Sequence, residues 1–560
     1  MLKKIAILLG LIIAALVLTV GGLYVKGGSA EVLLLGVKLF LRQEHAPNRT
    51  VTWTVPNAPA RYPQTSAGIP APNVILIVAD DLGYNDITLN GGGLANGTVP
   101  TPNINSLAQQ GANFETSYSG NATCAPSRAA IMTGRYPTRF GYEFTPTPKA
   151  FMKAIGHYKG PTQIHDAIYH AEREKDLIPY ETMGLPRSEI TLAKLLKADG
   201  YRTLHVGKWH LGDAPEFRSH VHGFDEALSF QHASSLYLPE SDPNVVNAKQ
   251  SFDIIDQFQW AAGSFGMHFN GGDAFKPKRY VTDYLTDEAE RAIEANRKQP
   301  FFLYLAYTAP HTPLQATKED YEALSHIEDH TLRVYAAMVR NLDRNIGRVL
   351  QSLKDKGLDD NTLVIFTSDN GGAHYVGLKD LNKPYRGWKA TFFEGGIRVP
   401  LFMRWPAAIP KGVKPQVPSN HMDIFATIAA ATGAKLPADR SMDGINLLPQ
   451  INKPADKGPA RALFWRTDTY RVIRQGDWKL QVAQNPPKEW LFNLALDPTE
   501  QKNLAAKEPE RVTRMRKELE AFNATQVKPS WPSMAEAAIA VDKTLRDKMQ
   551  PTDEFVYYGN

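Results

Sequence analysis

The chain has one cysteine in 560 residues, Cys124. It cannot close an intramolecular disulfide or build a thiolate zinc site. It is therefore a buried small hydrophobe, an accident or a reactive centre. It stands in Cys124-Ala125-Pro126-Ser127-Arg128, followed by Met132-Thr133-Gly134-Arg135. Pro126 and Gly134 frame a short helix over residues 127–133. The cysteine then sits beside a helix N-terminus, where backbone N–H groups favour anions, and Arg128 lies within reach of it. A plain thiolate nucleophile, which needs a histidine base, and a structural cysteine remain alternatives.

Two further groups carry chemistry. Asp80, Asp81, Asp369 and Asn370 offer oxygen ligands only, the set that hard cations such as Ca²⁺ or Mg²⁺ select over zinc and copper. Adjacent carboxylates repel, although each motif alone also reads as a helix cap or a turn. The second group is basic: Lys208 and His210 in Gly-Lys-Trp-His-Leu-Gly, His311 after Pro310, and Lys389 after Gly387-Trp388. Lysine is a point charge for an oxyanion, and histidine moves protons near neutral pH. With 15 histidines in the chain, position after a strand is what singles out His210 and His311.

Those positions come from the elements that carry them. Residues 74–79, 201–206, 301–307 and 362–367 are apolar runs, each followed by one of these polar clusters. Such runs predict buried parallel strands. Helical patterns lie between them over 190–199, 283–298 and 330–356. This alternation predicts an α/β fold, a large mostly parallel sheet with helices on both faces. Ligands bind such sheets beyond the carboxyl ends of the strands, so the clusters converge on one edge. A helix over 423–432 closes the large domain. Beyond it, short strand patterns (462–466, 471–474, 478–482, 490–493) and a charged helix (508–522) predict a smaller C-terminal α+β domain with an antiparallel sheet. The predicted organisation is 1–27 anchor or signal peptide, 28–72 linker, 73–435 catalytic domain and 436–560 C-terminal domain.

Composition is that of an ordinary globular protein: 43% hydrophobic, 22% charged, net charge +5. No basic stripe supports nucleic-acid binding. Lys3 and Lys4 precede an uncharged, mostly apolar run over residues 5–25, long enough to span a bilayer at ~20 residues. The positive flank stays cytoplasmic, which places the rest outside. The expectation is an exported, periplasmic protein tethered to the inner membrane by residues 5–25, or secreted if that segment is cleaved. The sequon Asn121-Ala122-Thr123 abuts Cys124 and reads as incidental.

From Asn73 to about Leu504 the chain resembles the type I, formylglycine-dependent, arylsulfatase-like sulfatases of the alkaline phosphatase superfamily. The matching pieces follow the family order: Asp80-Asp81-Leu82-Gly83, the Cys124 string, Gly207 to Gly212, Pro310-His311, Asp369-Asn370-Gly371-Gly372 and Glu394 to Pro400. Gly476 to Leu480 and Leu491 to Leu494 resemble its C-terminal domain.

The resemblance implies a sulfatase that hydrolyses sulfate esters to an alcohol or phenol plus sulfate. It implies that a formylglycine-generating enzyme converts Cys124 to formylglycine (3-oxoalanine). Asp80, Asp81, Asp369, Asn370 and the modified Cys124 would bind Ca²⁺, with Mg²⁺ as an alternative. The hydrated aldehyde attacks sulfur, and His311 protonates the departing alcohol. Lys208 and Lys389 neutralise the sulfate oxygens, Arg128 steadies the diol, and His210 takes its remaining proton. Gln231, His232 and Ser234, after Gly223-Phe224-Asp225, are open candidates for a further sulfate contact. Segments 141–187 and 230–275, with Tyr142, Tyr158, His165, Phe258 and Trp260, are expected as pocket walls or as peripheral core. The alternatives are a phosphonate or phosphate diester hydrolase of the same superfamily and a catalytically inactive anchored binding protein. The partners are a small-molecule or glycan sulfate ester, the modifying enzyme and the membrane.

Overall fold

The computed structural model describes residues 34, 38, 45–47, 49–57 and 70–560. The expected membrane segment, residues 5–25, lies outside them. The main sheet has eight strands: β1 (Asn73–Ala79), β2 (Ala112–Asn113), β3 (Arg202–Lys208), β4 (Glu226–Phe230), β5 (His268–Phe269), β6 (Phe301–Ala306), β7 (Thr362–Ser368) and β8 (Leu401–Arg404). Their spatial order is β2-β8-β7-β1-β6-β3-β4-β5. The five strands β7-β1-β6-β3-β4 run parallel. The strands flanking them are antiparallel.

β1 shows why the apolar runs form this layer. Val74, Leu76 and Val78 face one core while Ile75, Ile77 and Ala79 face the other, so both faces exclude water and no polar alternation is needed. One face is covered by α1 (Cys124–Thr133) and α4 (His421–Thr432), the other by α2 (Val281–Asn296) and α3 (His330–Asp355). The caps account for the helix ends. Asp329 accepts from the Leu332 N–H ahead of α3, and Asn420 and Asp423 form a capping box on α4. Gly134 ends α1 at φ 66°, a conformation that glycine adopts without strain.

The predicted C-terminal strands form a four-stranded antiparallel meander: β9 (Ala462–Thr467), β10 (Tyr470–Gln475), β11 (Trp478–Gln484) and β12 (Pro487–Asn493). Two more, β13 (Ala535–Ala540) and β14 (Phe555–Gly559), pair with each other, and β13 also pairs with Ile168–Tyr169 from the middle of the chain. The meander shares a buried apolar core with the main sheet through Leu463, Trp465 and Trp490. Packing is therefore continuous across residue 435.

Two expectations need correcting. Part of the stretch read as a linker is packed: Val51 and Trp53 are buried, and the Trp53 indole N–H donates to Glu288 at 3.0 Å. And α1 begins at Cys124 rather than at residue 127, because Thr123 is extended (φ −136°, ψ 154°) and the helix starts immediately after it.

Candidate active site

The site forms where the parallel strands end. Ala79 and Ser368 are register partners, so Asp80 and Asp369 leave adjacent strands side by side. Backbone hydrogen bonds from Asp80 N to Ala309 O (3.1 Å) and from Asp369 N to Ala79 O (3.1 Å) continue the ladder one step further. β3 delivers Lys208, and the loop after β6 delivers His311. Gly207 permits the approach of β3 to β6. It holds φ 117°, and a Cβ there would meet Ala306 O at 1.9 Å. Asp81 and His210 both have positive φ, 61° and 58°. Such backbone conformations are costly for non-glycine residues and are sustained by the packing around them.

Cys124 is the meeting point. Its Sγ lies 3.4 Å from Asp80 Oδ1 and 3.5 Å from Asp81 Oδ1, and it accepts from Lys389 Nζ at 3.1 Å. Arg128, fully buried one turn along α1, donates through Nε to Asp369 Oδ2 at 2.9 Å and approaches Asp80 at 3.5 Å. Lys208 Nζ bonds Asp80 Oδ2 at 2.5 Å. Lys389, anchored by its own N–H to Gly372 O, lies 2.8 Å from the Asp81 carboxylate and 3.4 Å from His311 Nε2. Asn370 Nδ2 donates to Asp81 Oδ1 at 2.8 Å. Three carboxylates thus face three fixed cations in a buried cluster.

Burial and charge set the protonation states. Burial pushes Asp81 up, but Lys389, His311 and Lys208 more than reverse this and hold it well below the usual carboxylate range. Burial and the neighbouring Asp80 raise Asp369 against the pull of Arg128. Burial and then Asp369 raise the Cys124 thiol well above its ordinary value, which argues against a resting thiolate nucleophile. Burial lowers His311 to about 3, partly offset by Asp81. His210 is pushed well below its ordinary value by burial and by the charges of Lys208 and Arg128.

A cation fits this donor set. Ligand atoms of Asp80, Asp81, Cys124 and His311 lie within 4.8 Å of one another. Asn370 Oδ1 is buried and has no hydrogen-bond partner. An orphaned buried oxygen is costly, and the amide that carries it is bonded through Nδ2 to the Asp81 carboxylate. Asp369 is committed chiefly to Arg128 and to the Asp81 N–H (3.2 Å).

Comparisons with known proteins identify the family. Residues 72–434 match the family model described as Sulfatase. The chain belongs to the sulfatase family. It is 32% identical to the N-acetylgalactosamine-6-sulfatase of Mus musculus over 74% of this chain and 73% of that one. It is 31% identical to the steryl-sulfatase of Homo sapiens over 76% and 77%. Among solved structures, Ps i-CgsB in complex with k-i-k-neocarrahexaose superposes with a TM-score of 0.69 at 32% identity, covering 82% of this chain and 95% of that one. The protein is a sulfuric ester hydrolase of the alkaline phosphatase superfamily.

Above the sulfatase centre opens a cavity of about 500 Å³, lined by Cys124, His210, His311 and Lys389 among others. Gln231, His232 and Ser234 all line it. Gln231 is buried and its Nε2 bonds Ser229 Oγ at 2.9 Å, whereas His232 is exposed beside Asp213 at 3.7 Å. Segments 141–187 and 230–275 do supply walls, but not through most of the residues singled out. Of those, only Phe258 lines the cavity. Tyr142 packs on Trp531, Trp260 is buried in the core, His165 stacks on Phe555, and the Tyr158 hydroxyl donates to Phe252 O.

Tyr375 is a further residue of the centre, not anticipated from the sequence. Its hydroxyl donates to Asp81 Oδ2 at 2.8 Å and accepts from Lys389 Nζ at 3.0 Å. No motif marks it. Its position in the loop after β7, five residues beyond Asn370, was the available signal. The sequon at Asn121 is settled sterically: its side chain is buried and accepts from the Tyr558 hydroxyl at 2.8 Å, so it cannot carry a glycan in the folded protein.

Proposed function

We propose that the protein cleaves sulfate esters through formylglycine formed from Cys124 by a formylglycine-generating enzyme, in a centre that holds Ca²⁺ or Mg²⁺. The observation that carries this is the convergence of Asp80, Asp81 and Lys389 on Cys124 Sγ within 3.5 Å. A thiol raised by burial has no use for such partners, whereas a hydrated aldehyde does. Asp80, Asp81, Asp369, Asn370 and the modified residue 124 would hold the cation, which supplies positive charge that makes a neighbouring hydroxyl more acidic. The hydrated aldehyde supplies one oxygen to attack sulfur and a second whose deprotonation later expels sulfate.

The remaining work falls to side chains already in place. Lys208 and Lys389 are the cations nearest the reacting position and stabilise the charge that develops on the sulfate oxygens. Arg128 fixes Asp369 and keeps residue 124 in register at the start of α1. His210 is neutral at physiological pH, the form that accepts a proton, and its buried Nδ1 has no partner. His311 engages the Thr312 carbonyl through Nδ1 at 2.6 Å, leaving Nε2 to serve the departing oxygen. To act there Nε2 must first gain a proton, and the negative charge of a bound sulfate ester favours that form.

We also place the protein outside the cytoplasm, in the periplasm and tethered by residues 5–25, or secreted if that segment is cleaved. Lys3 and Lys4 ahead of an uncharged apolar run support this.

Mass spectrometry of the Cys124 peptide, from protein made in its own host, tests the central step. A mass corresponding to formylglycine is expected, and unmodified cysteine in fully active protein would sink the mechanism. Chelation should lower the thermal midpoint as well as the activity, because the cation binds the folded state. An unchanged midpoint with full activity in excess chelator would remove the metal.

A further inference from the structure

The outer part of the cavity differs from its floor. Helix Lys149–Gly156 presents Phe151, Met152 and Ile155 to it, and helix Ile254–Ala262 presents Ile255, Phe258 and Ala262. Positions 255, 258, 259 and 262 are one face of a helix. The opposite face, with Ile254 and Trp260, is buried in the protein. On the cavity face Ile255 and Phe258 are only half-buried, as are Phe151 and Ile155 on the other helix. The two helices touch through Phe151 and Phe258, whose ring centroids are 4.4 Å apart. Met152 packs inward against Met534 and Ala535, whereas half-buried apolar side chains gathered at a pocket, here Phe151, Ile155, Ile255 and Phe258, mark a binding surface.

The charges are equally informative. Among the described residues lining the cavity, Lys389 is the only lysine or arginine, and it belongs to the catalytic floor. Among the same described residues, Asp213 is the only aspartate or glutamate. A glycan bearing several sulfates or carboxylates needs a cation for each extra anion, arginine above all. Outside the floor this wall offers no lysine or arginine, only the histidines His45, His232, His268 and His374, one of which, His232, lies 3.7 Å from Asp213.

We propose that the substrate is a monosulfate of an apolar ring alcohol or phenol, with its ring system held between the helices Lys149–Gly156 and Ile254–Ala262. This rests on the sulfatase chemistry above and adds the identity of the leaving group. The sulfate enters first, toward Lys208 and Lys389. The rings then lie against Phe151, Ile155, Ile255 and Phe258 and displace water from them. The cavity volume accommodates a ligand of a few fused rings.

The test is a kcat/KM series on the full-length, modified enzyme. Phenyl sulfate, 2-naphthyl sulfate and a phenolic steroid 3-sulfate have leaving groups of similar acidity, about 10, and differ in apolar size. Galactose 6-sulfate and a disulfated disaccharide complete the set. The expected result is a rise of at least tenfold from phenyl to steroid sulfate, with both sugars below phenyl sulfate. Phe258→Ala and Ile155→Ala should each shrink the steroid-to-phenyl ratio several-fold, and Ile155→Lys should shift relative activity toward the disulfated sugar. A flat series, or either sugar ahead of the steroid by tenfold, overturns the proposal while leaving the sulfatase mechanism intact. Absence of Cys124-dependent turnover on every sulfate would instead refute the mechanism, and the proposal with it.

Discussion

The floor and the wall of one cavity are built by opposite rules. On the floor, Asp80, Arg128, Lys208 and Asp369 have no solvent-exposed side-chain surface. They are fixed by strand register and paired charge to charge. The apolar part of the wall is carried by half-buried side chains on two short helices that belong to no layer of the main sheet. Chemistry that reorganises little needs the first arrangement. Selection among substrates needs only the second, and loops and short inserted helices vary without disturbing a sheet. Substitutions on the floor should therefore abolish reaction or fold, while substitutions on the wall should redistribute preference.

The largest effect should follow from removing the focal residue. Cys124→Ala leaves the ion pairs around it in place but removes the reacting group, and activity on p-nitrophenyl sulfate should fall by about 10⁴-fold or more. Steady-state assays beside an unchanged circular dichroism spectrum would check it. Retained activity would break the contrast at its strongest point.

Arg128→Met probes the floor as structure. It leaves Asp80 and Asp369 buried against each other with one cation fewer. Breaking a buried pair from one side costs about 3–5 kcal/mol, so a drop of several degrees or more in the thermal midpoint is expected. No single wall substitution should approach it. A midpoint within a degree of wild type would show that the pairing is not structural.

The pH dependence of stability extends the contrast to residues behind the floor. Burial, with the Arg128 charge adding, lowers His205 to about 3, and burial with Lys194 lowers His222 to about 3. The unfolded chain therefore binds protons below about pH 6.5 that the folded chain refuses. The stabilisation is complete above that pH and is lost progressively as pH falls toward 3. At pH 5 each such histidine costs about 2 kcal/mol. His205 stacks on Tyr304 at 5.1 Å, and His205→Phe preserves a ring there. Denaturant titrations at pH 7 and pH 5 should show a smaller loss in that variant, and an equal loss would exclude His205 as a contributor.

Legibility in the sequence followed the same division. β1, β6 and β7 were readable because burial on both faces makes each an unbroken apolar run, and the floor was readable because its residues directly follow those runs. The extra turn at the start of α1 was not, since the Thr123 side chain makes no capping hydrogen bond and instead meets the Tyr558 hydroxyl at 3.2 Å. The wall was harder still. Tyr142, Trp260 and Phe258 are all aromatic residues in the segments expected to matter, yet two are core and one faces the cavity. Composition does not say which side of a short helix meets a void. Ile155 and Ile255, which do line it, look like any core residue in the sequence.

Tyr375 should give the smallest effect and the finest resolution. It lies on the floor by contact, bonded to both Asp81 and Lys389, but carries no formal charge and no motif. If its hydroxyl only fills space, Tyr375→Phe should be silent. If it holds the Asp81 carboxylate and the Lys389 ammonium at their working separation, its loss removes a hydrogen bond to a charged group, worth roughly 1.5–3 kcal/mol. Part of that should be recovered because Lys389 still reaches Asp81. A fall of about tenfold in kcat is then expected, with KM and the thermal midpoint nearly unchanged. A change in KM alone would place Tyr375 with the wall instead, as a contact to substrate.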